Sequence, residues 1–158
     1  MTPTGVDNPR FTLDTDLLVY SVDSRAGVRH DLASRILLRA PRVDCCLTFQ
    51  SLSEFYSVVG RKGLMPAMEA AAQVNDWLTF FPCAAVSAGS IRAALADAVA
   101  GRASYWDALL VATAAEAGCR VILTEDLDDA DTLGGVEVHN PFDAAGGLTD
   151  RARQLLGL

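Results

Sequence analysis

Lysine and histidine are nearly missing from this 158-residue sequence. Lys62 is the only lysine, and His30 and His139 are the only histidines. Neither histidine lies in an acidic motif, and no Ser-His-Asp or Cys-His nucleophile arrangement is found. Cysteine is present four times, as Cys45, Cys46, Cys83 and Cys119, but no pair has Cys-x-x-Cys spacing and no histidine is placed to complete a zinc site. Buried, reduced thiols are the expectation. No glycine-rich phosphate loop is present. No apolar run approaches the roughly 20 residues that cross a bilayer. The first ten residues lack a basic segment followed by an apolar one, so no secretory signal is read there. The expectation is a cytoplasmic protein with no membrane partner, built as a flexible leader over 1–10 and a single domain over 11–158. Internal repeats and low-complexity segments are also absent.

Positive charge is scarce overall, with a net charge of −7. Taken alone, that disfavours a nucleic-acid partner. The distribution changes the picture. Between Arg25 and Lys62 there are seven cations and three anions, a net of +4. Between Asp97 and Asp150 there are eleven anions against Arg102 and Arg120, a net of −9.

What the chain does have is 51% hydrophobic residues, enough for one substantial core. The pattern predicts a strand over Phe11–Leu13, ending near Asp14. Val28, Leu32, Ile36 and Leu37 follow at helical spacing. "RVDCCLT" reads as a second strand, and "SLSEFYSVVGRKG" as a helix stopped by Gly63. "PAMEAAAQVNDWLTFF" opens on Pro66, favoured in a first turn. "CAAV" is a short strand. Ser87 caps a helix that ends at Gly101, and Ser104 caps one that ends at Gly118. "CRVILT" is the clearest buried strand, "VEVHNPF" is the last strand, and a short helix closes the chain. Strands alternating with helices predict an α/β fold with a parallel sheet covered on both faces. Ligands bind such sheets beyond the carboxyl ends of their strands.

Four carboxylates fall at that edge: Asp14, Glu54, Asp107 and Asp126. Each has a local use as well. Ser51-x-x-Glu54 and Ser104-x-x-Asp107 follow the capping-box pattern, and acids after "CRVILT" suit a turn. Their joint occurrence is harder to assign to capping, because converging carboxylates repel and need a cation. A hard divalent ion such as Mg²⁺ or Mn²⁺ takes oxygen ligands and activates water. The period of two along "CRVILT" puts Asp126 on the side of Thr124, ahead of Asp129, Asp128 and Glu125. Asp129 is the alternative, as an outer ligand through water.

The series "LDTDLLVY", "LTFQSLSEFYSVVGRKG", "SYWDALLVATAAEAGC", "ILTEDL" and "NPF" resembles, in order and spacing, the PIN-domain ribonucleases, and most of all the VapC-type toxins of bacterial toxin–antitoxin pairs. The resemblance covers residues 11 to 142. It implies a three-layer α/β/α PIN-like domain with a central, mainly parallel sheet. It implies Mg²⁺- or Mn²⁺-dependent hydrolysis of RNA, transfer RNA included, to 5′-phosphate and 3′-hydroxyl ends. It also implies a homodimer and a cognate antitoxin that occludes the site. By this resemblance Asp14, Glu54, Asp107 and Asp126 are the catalytic and metal-binding acids. Arg25, Arg29, Arg61 and Lys62 are the cations expected to contact RNA. Two departures stand out. Asp16 adds a negative charge where relatives often carry Asn, with consequences for metal occupancy, and Ala130 stands where a glycine is common.

Two other readings compete. "FTLDTDLLV" resembles the Asp-x-Asp opening of haloacid dehalogenase-type phosphatases. Leu18, however, stands where that family wants Thr or Val, and nothing in it requires Glu54 or Asp107. A degenerate nuclease domain working only through protein contacts is the other.

Overall fold

The computed structural model describes residues 8–127 and 132–158. Most of the expected leader (residues 1–7), together with Asp128, Asp129 and Ala130, therefore lies outside the described residues. Within them, β1 (Phe11–Leu13), β4 (Val121–Leu123) and β6 (Val136–His139) run parallel, and β5 (Thr132–Leu133) pairs antiparallel to β6. A second parallel pair, β2 (Leu47–Thr48) and β3 (Cys83–Ala84), joins β1 through a bridge between Phe11 and Cys45. The strand "RVDCCLT" is thus shorter than its apolar run, and Cys45 contributes only that bridge.

Alternation along the strands sorts the helices into two layers. Phe11, Leu13, Val121 and Leu123 face one cluster, while Ile122 faces another with Val136 and Val138. The first cluster is covered by α1 (Thr15–Tyr20), α2 (Val28–Arg39), α3 (Phe49–Arg61), α4 (Ala67–Phe80) and α7 (Asp150–Leu156). The second is covered by α6 (Tyr105–Glu116), against which α5 (Ala88–Val99) packs. The result is three layers, α/β/α, around a mainly parallel sheet. Phe55 of α3 is fully buried edge-on to Trp77, with ring centroids 4.7 Å apart. Burying such a ring stabilises by about 1.5–3 kcal/mol.

Helix α1 and the short β5 escape the sequence reading. Six residues make too short a period to recognise, and α1 is set by Asp14 at its N-cap instead. The α3 cap is also corrected. Thr48, not Ser51, is the N-cap, and its hydroxyl accepts from the Ser51 amide. Glu54 is thereby freed from capping and sits in the second turn. Ser104 does cap α6, accepting from the Asp107 amide. That helix ends at Glu116, and Gly118 just beyond its C-cap takes a φ of +86°, which suits glycine. Cys45, Cys46 and Cys119 are buried, Cys83 is half-buried, and all four are free thiols. No described helix is long and apolar enough to cross a membrane.

Candidate metal centre

Leu13 of β1 is paired with Leu123 of β4, so Asp14 and Thr124 leave adjacent strand ends side by side. Their side chains meet there. Thr124 Oγ1 donates to Asp14 Oδ2 at 2.7 Å and accepts from the Asp126 amide at 3.1 Å. One hydroxyl thus sets the spacing of two acids. The other Asp14 oxygen accepts from the Thr15 amide at 2.6 Å, at the start of α1, where the helix dipole favours a negative charge.

Helix α1 aims Asp16 back over the same strand end. Its carboxylate accepts from the Leu17 amide at 2.8 Å and from the Glu125 amide at 2.9 Å. Glu54 reaches in from α3, held by the Thr15 hydroxyl at 2.8 Å and by Gln50 at 3.1 Å. Gln50 also donates to the Trp106 carbonyl, tying the first turn of α3 to that of α6 beside Asp107. Asp14, Asp16, Glu54, Asp107 and Asp126 all line one cavity of about 340 Å³.

Within that cavity the tightest group is Asp14, Asp16 and Asp126, with one carboxylate oxygen from each lying within 4.8 Å of the others. Burial first, then the charges of Asp126 and Asp107, push the Asp14 carboxyl up to about 6, against the hydrogen bonds from Thr124 and Thr15. Burial, then Asp14, pushes Asp16 up to about 8. Asp126 is raised by burial and by Glu125 and Asp107, while Lys62 opposes the shift. Three oxygens this close, in acids that resist ionising together, form a donor set that fits a hard divalent cation.

The sequence reading treated Asp16 as a departure and placed no ligand there. The signal was present in the Asp-x-Asp spacing, but it needed α1 to be recognised. Once Thr15 opens a helix, the residue after it points back toward the strand end. Asp129, the alternative outer ligand, lies outside the described residues. Glu125 is absent from the cavity lining, because its carboxylate is engaged by Tyr20 and Arg29. Of the four expected RNA-binding cations, Arg61 and Lys62 line the cavity. Arg25 is exposed and lies 3.6 Å from Asp23, and Arg29 is paired with Glu125 at 2.6 Å.

A profile of the PIN domain matches residues 11–133. The chain belongs to the PIN domain family. Members of this family are nucleases, and the membership takes the place of the phosphatase alternative. Among solved structures, the PIN-domain chain resembles VapC20 from Mycobacterium tuberculosis, described as a sarcin-ricin loop cleaving toxin. The TM-score is 0.60 at 21% identity, covering 73% of this chain and 91% of that one. It also resembles DNA-bound VapBC from Salmonella typhimurium, with TM-score 0.59, 15% identity, and coverage of 83% and 97%. A toxin–antitoxin complex from Klebsiella pneumoniae gives TM-score 0.60, 17% identity, and coverage of 84% and 98%. No match is found among curated protein sequences.

Proposed function

We propose that this PIN-domain protein is a Mg²⁺- or Mn²⁺-dependent endoribonuclease, acting in the cytoplasm as the toxin of a VapBC-type pair. The observation that carries this reading is the convergence of Asp14, Asp16 and Asp126, with Glu54 and Asp107 in the same cavity, at the carboxyl edge of the sheet. When bound, a divalent cation supplies Lewis acidity, activating water toward a phosphodiester and offsetting charge on the leaving oxygen. Asp14, Asp16 and Asp126 would hold it. Glu54, fixed by Thr15 and Gln50, and Asp107 complete an acidic wall facing the same space. Thr15 and Thr124 act on carboxylates rather than on phosphate.

The test is incubation with RNA in the presence of Mn²⁺. Cleavage leaving 5′-phosphate ends, abolished by EDTA, is the expected result. Cleavage untouched by EDTA would sink the metal mechanism. A protein that binds no Mn²⁺ and cuts nothing would favour the degenerate, non-catalytic reading.

Arg61 and Lys62 stand at the end of α3 on the cavity wall, where an RNA backbone would pass. Replacing Lys62 or Arg61 by Ala should weaken RNA binding similarly across sequences. Each should lower the slope of log K against log salt by about 0.7–1. A slope unchanged from wild type would move the RNA path elsewhere.

The antitoxin partner is supported by a second feature. Two cavities of about 520 and 700 Å³, sharing Phe49 and Ser53, run from between α3 and α4 to Glu54 and Asp107. Phe49, Tyr56, Leu78 and Trp106 are all exposed along them. An apolar antitoxin segment would lie in this groove and place a basic side chain among the acids. Ile91, Leu95 and Val99, four residues apart and exposed on α5, offer a separate face for a second copy of the chain.

A further inference from the structure

Glu125 stands next to Asp126 in the chain, yet its carboxylate is held away from the acid group. Tyr20 Oη, at the end of α1, donates to Glu125 Oε1 at 2.7 Å. Arg29, in the first turn of α2, donates to Glu125 Oε2 at 2.6 Å. The Glu125 side chain is 19% exposed, so this pair is partly shielded from water. The Arg29 guanidinium also lies 5.5 Å above the Phe142 ring, within the range of a cation–π contact. Phe142 in turn meets Tyr20 edge-on, with centroids 6.1 Å apart. Side chains from α1 and α2 therefore converge on one carboxylate, and Phe142, after β6, packs against both of them.

The backbone of the same residue is fixed as well. The Glu125 amide donates to Asp16, and the Asp126 amide donates to Thr124. Thr124 is anchored by its own amide to the His139 carbonyl at 3.0 Å. Asp126 itself is exposed and is the least enclosed of the three clustered acids. Its placement depends on how the turn after β4 is held.

We propose that Glu125 is a positioning residue: its carboxylate, clamped by Tyr20 and Arg29, fixes the turn after β4 so that Asp126 faces Asp14 and Asp16. The inference rests on reading those three acids as a metal site, and it goes beyond that reading by giving the site an outer support. It also reassigns Arg29, which the sequence suggested for RNA contact, to the clamp. Outer partners that orient ligands in this way are typically worth about ten- to a hundredfold in metal affinity.

The experiment is Mn²⁺ affinity, measured by electron paramagnetic resonance on the full chain well below its melting temperature. Wild type is compared with Glu125→Ala, Glu125→Gln, Tyr20→Phe and Arg29→Gln. Glu125→Ala should weaken Mn²⁺ binding about ten- to a hundredfold. Glu125→Gln should recover part of the loss, because its carboxamide oxygen still accepts from Tyr20. Tyr20→Phe should add little to Glu125→Ala, since both remove the same contact. If Glu125→Ala fails to fold, the single-bond variants Tyr20→Phe and Arg29→Gln decide. Affinities within twofold of wild type in every folded variant would remove the clamp and leave the metal site standing. A wild type that binds no Mn²⁺ would remove both. Arg29→Gln should leave the salt slope of RNA binding unchanged. A slope reduced by about one, with unchanged Mn²⁺ affinity, would return Arg29 to the RNA surface and overturn the assignment.

Discussion

Asp14→Asn is expected to lower metal-dependent RNA cleavage by more than about a hundredfold while leaving the fold intact, a loss beyond the ten- to hundredfold typical of removing an outer partner. Asp14 is the most buried of the clustered acids, at 7% exposure. Its two oxygens are held by the Thr124 hydroxyl and the Thr15 amide. Asparagine has the same shape and keeps one oxygen for the Thr15 amide, so the α1 cap survives, while its NH2 faces Thr124 Oγ1, which must then accept instead of donate. It removes the negative charge around which the site is arranged. The carboxyl is already raised to about 6 by burial and by its acidic neighbours. Exchanging it for a neutral group therefore relieves repulsion instead of breaking a favourable ion pair. The melting temperature of the variant should match wild type or exceed it at pH 8, as happens when a strained functional group is neutralised. Single-turnover cleavage with Mn²⁺ and a thermal melt on the same preparation check both halves. Activity within a few-fold of wild type would show that Asp14 is not a ligand. Lost activity accompanied by unfolding would make its role structural.

How much of this arrangement could be read beforehand depends on whether each feature is local in sequence. The strand Phe11–Leu13 falls where the pattern puts it, and Val121–Leu123 is the apolar centre of "CRVILT", shorter than that run at both ends. The helices capped by Ser87 and Ser104 carry their own start signals. Strand alternation carried past Thr124 picks out Asp126, but β4 ends at Leu123 and the turn bonded to the Thr124 hydroxyl sets where Asp126 stands. Asp16 was legible only as an extra charge, because its direction is set by a six-residue helix too short to show a period. The engagement of Glu125 and Arg29 was not legible at all. Their contact spans 96 residues and depends on α2 being packed beside the β4 end. An arginine on a polar helix face looks equally suited to RNA, to solvent or to an ion pair until its neighbour is known. Thr48 as the α3 cap was hidden for a related reason. It ends the strand and starts the helix at once, and the Ser51-x-x-Glu54 spacing offered a competing signal.

Proton linkage supplies the second large expected effect, and its sign is fixed by the same acids. Asp14 and Asp16 have folded-state values of about 6 and about 8, both above the ordinary 3.8. A raised carboxyl binds its proton more tightly when folded, so its contribution to stability is complete below about pH 4. That contribution is lost as pH rises through the folded values. Without divalent cation, the melting temperature should therefore fall between pH 5 and pH 8. Metal binding needs the ionised carboxylates and displaces their protons. Between pH 6 and pH 8 the proton displaced is mainly that of Asp16, so Mg²⁺ affinity should rise on the order of tenfold per pH unit and level off above about 8. Saturating Mg²⁺ should consequently cancel or reverse the fall in melting temperature at the alkaline end. The net charge of −7 adds a general alkaline destabilisation to wild type and variants alike, so the informative quantity is the difference. In Asp16→Asn the steep segment between pH 6 and pH 8 should disappear, leaving the shallower dependence of Asp14 near pH 6. Titration calorimetry with Mg²⁺ at pH 6, 7 and 8 measures the slope directly. An affinity that does not change over that range in wild type, or one that rises equally in Asp16→Asn, would show that Asp16 is not among the groups that surrender a proton to the metal.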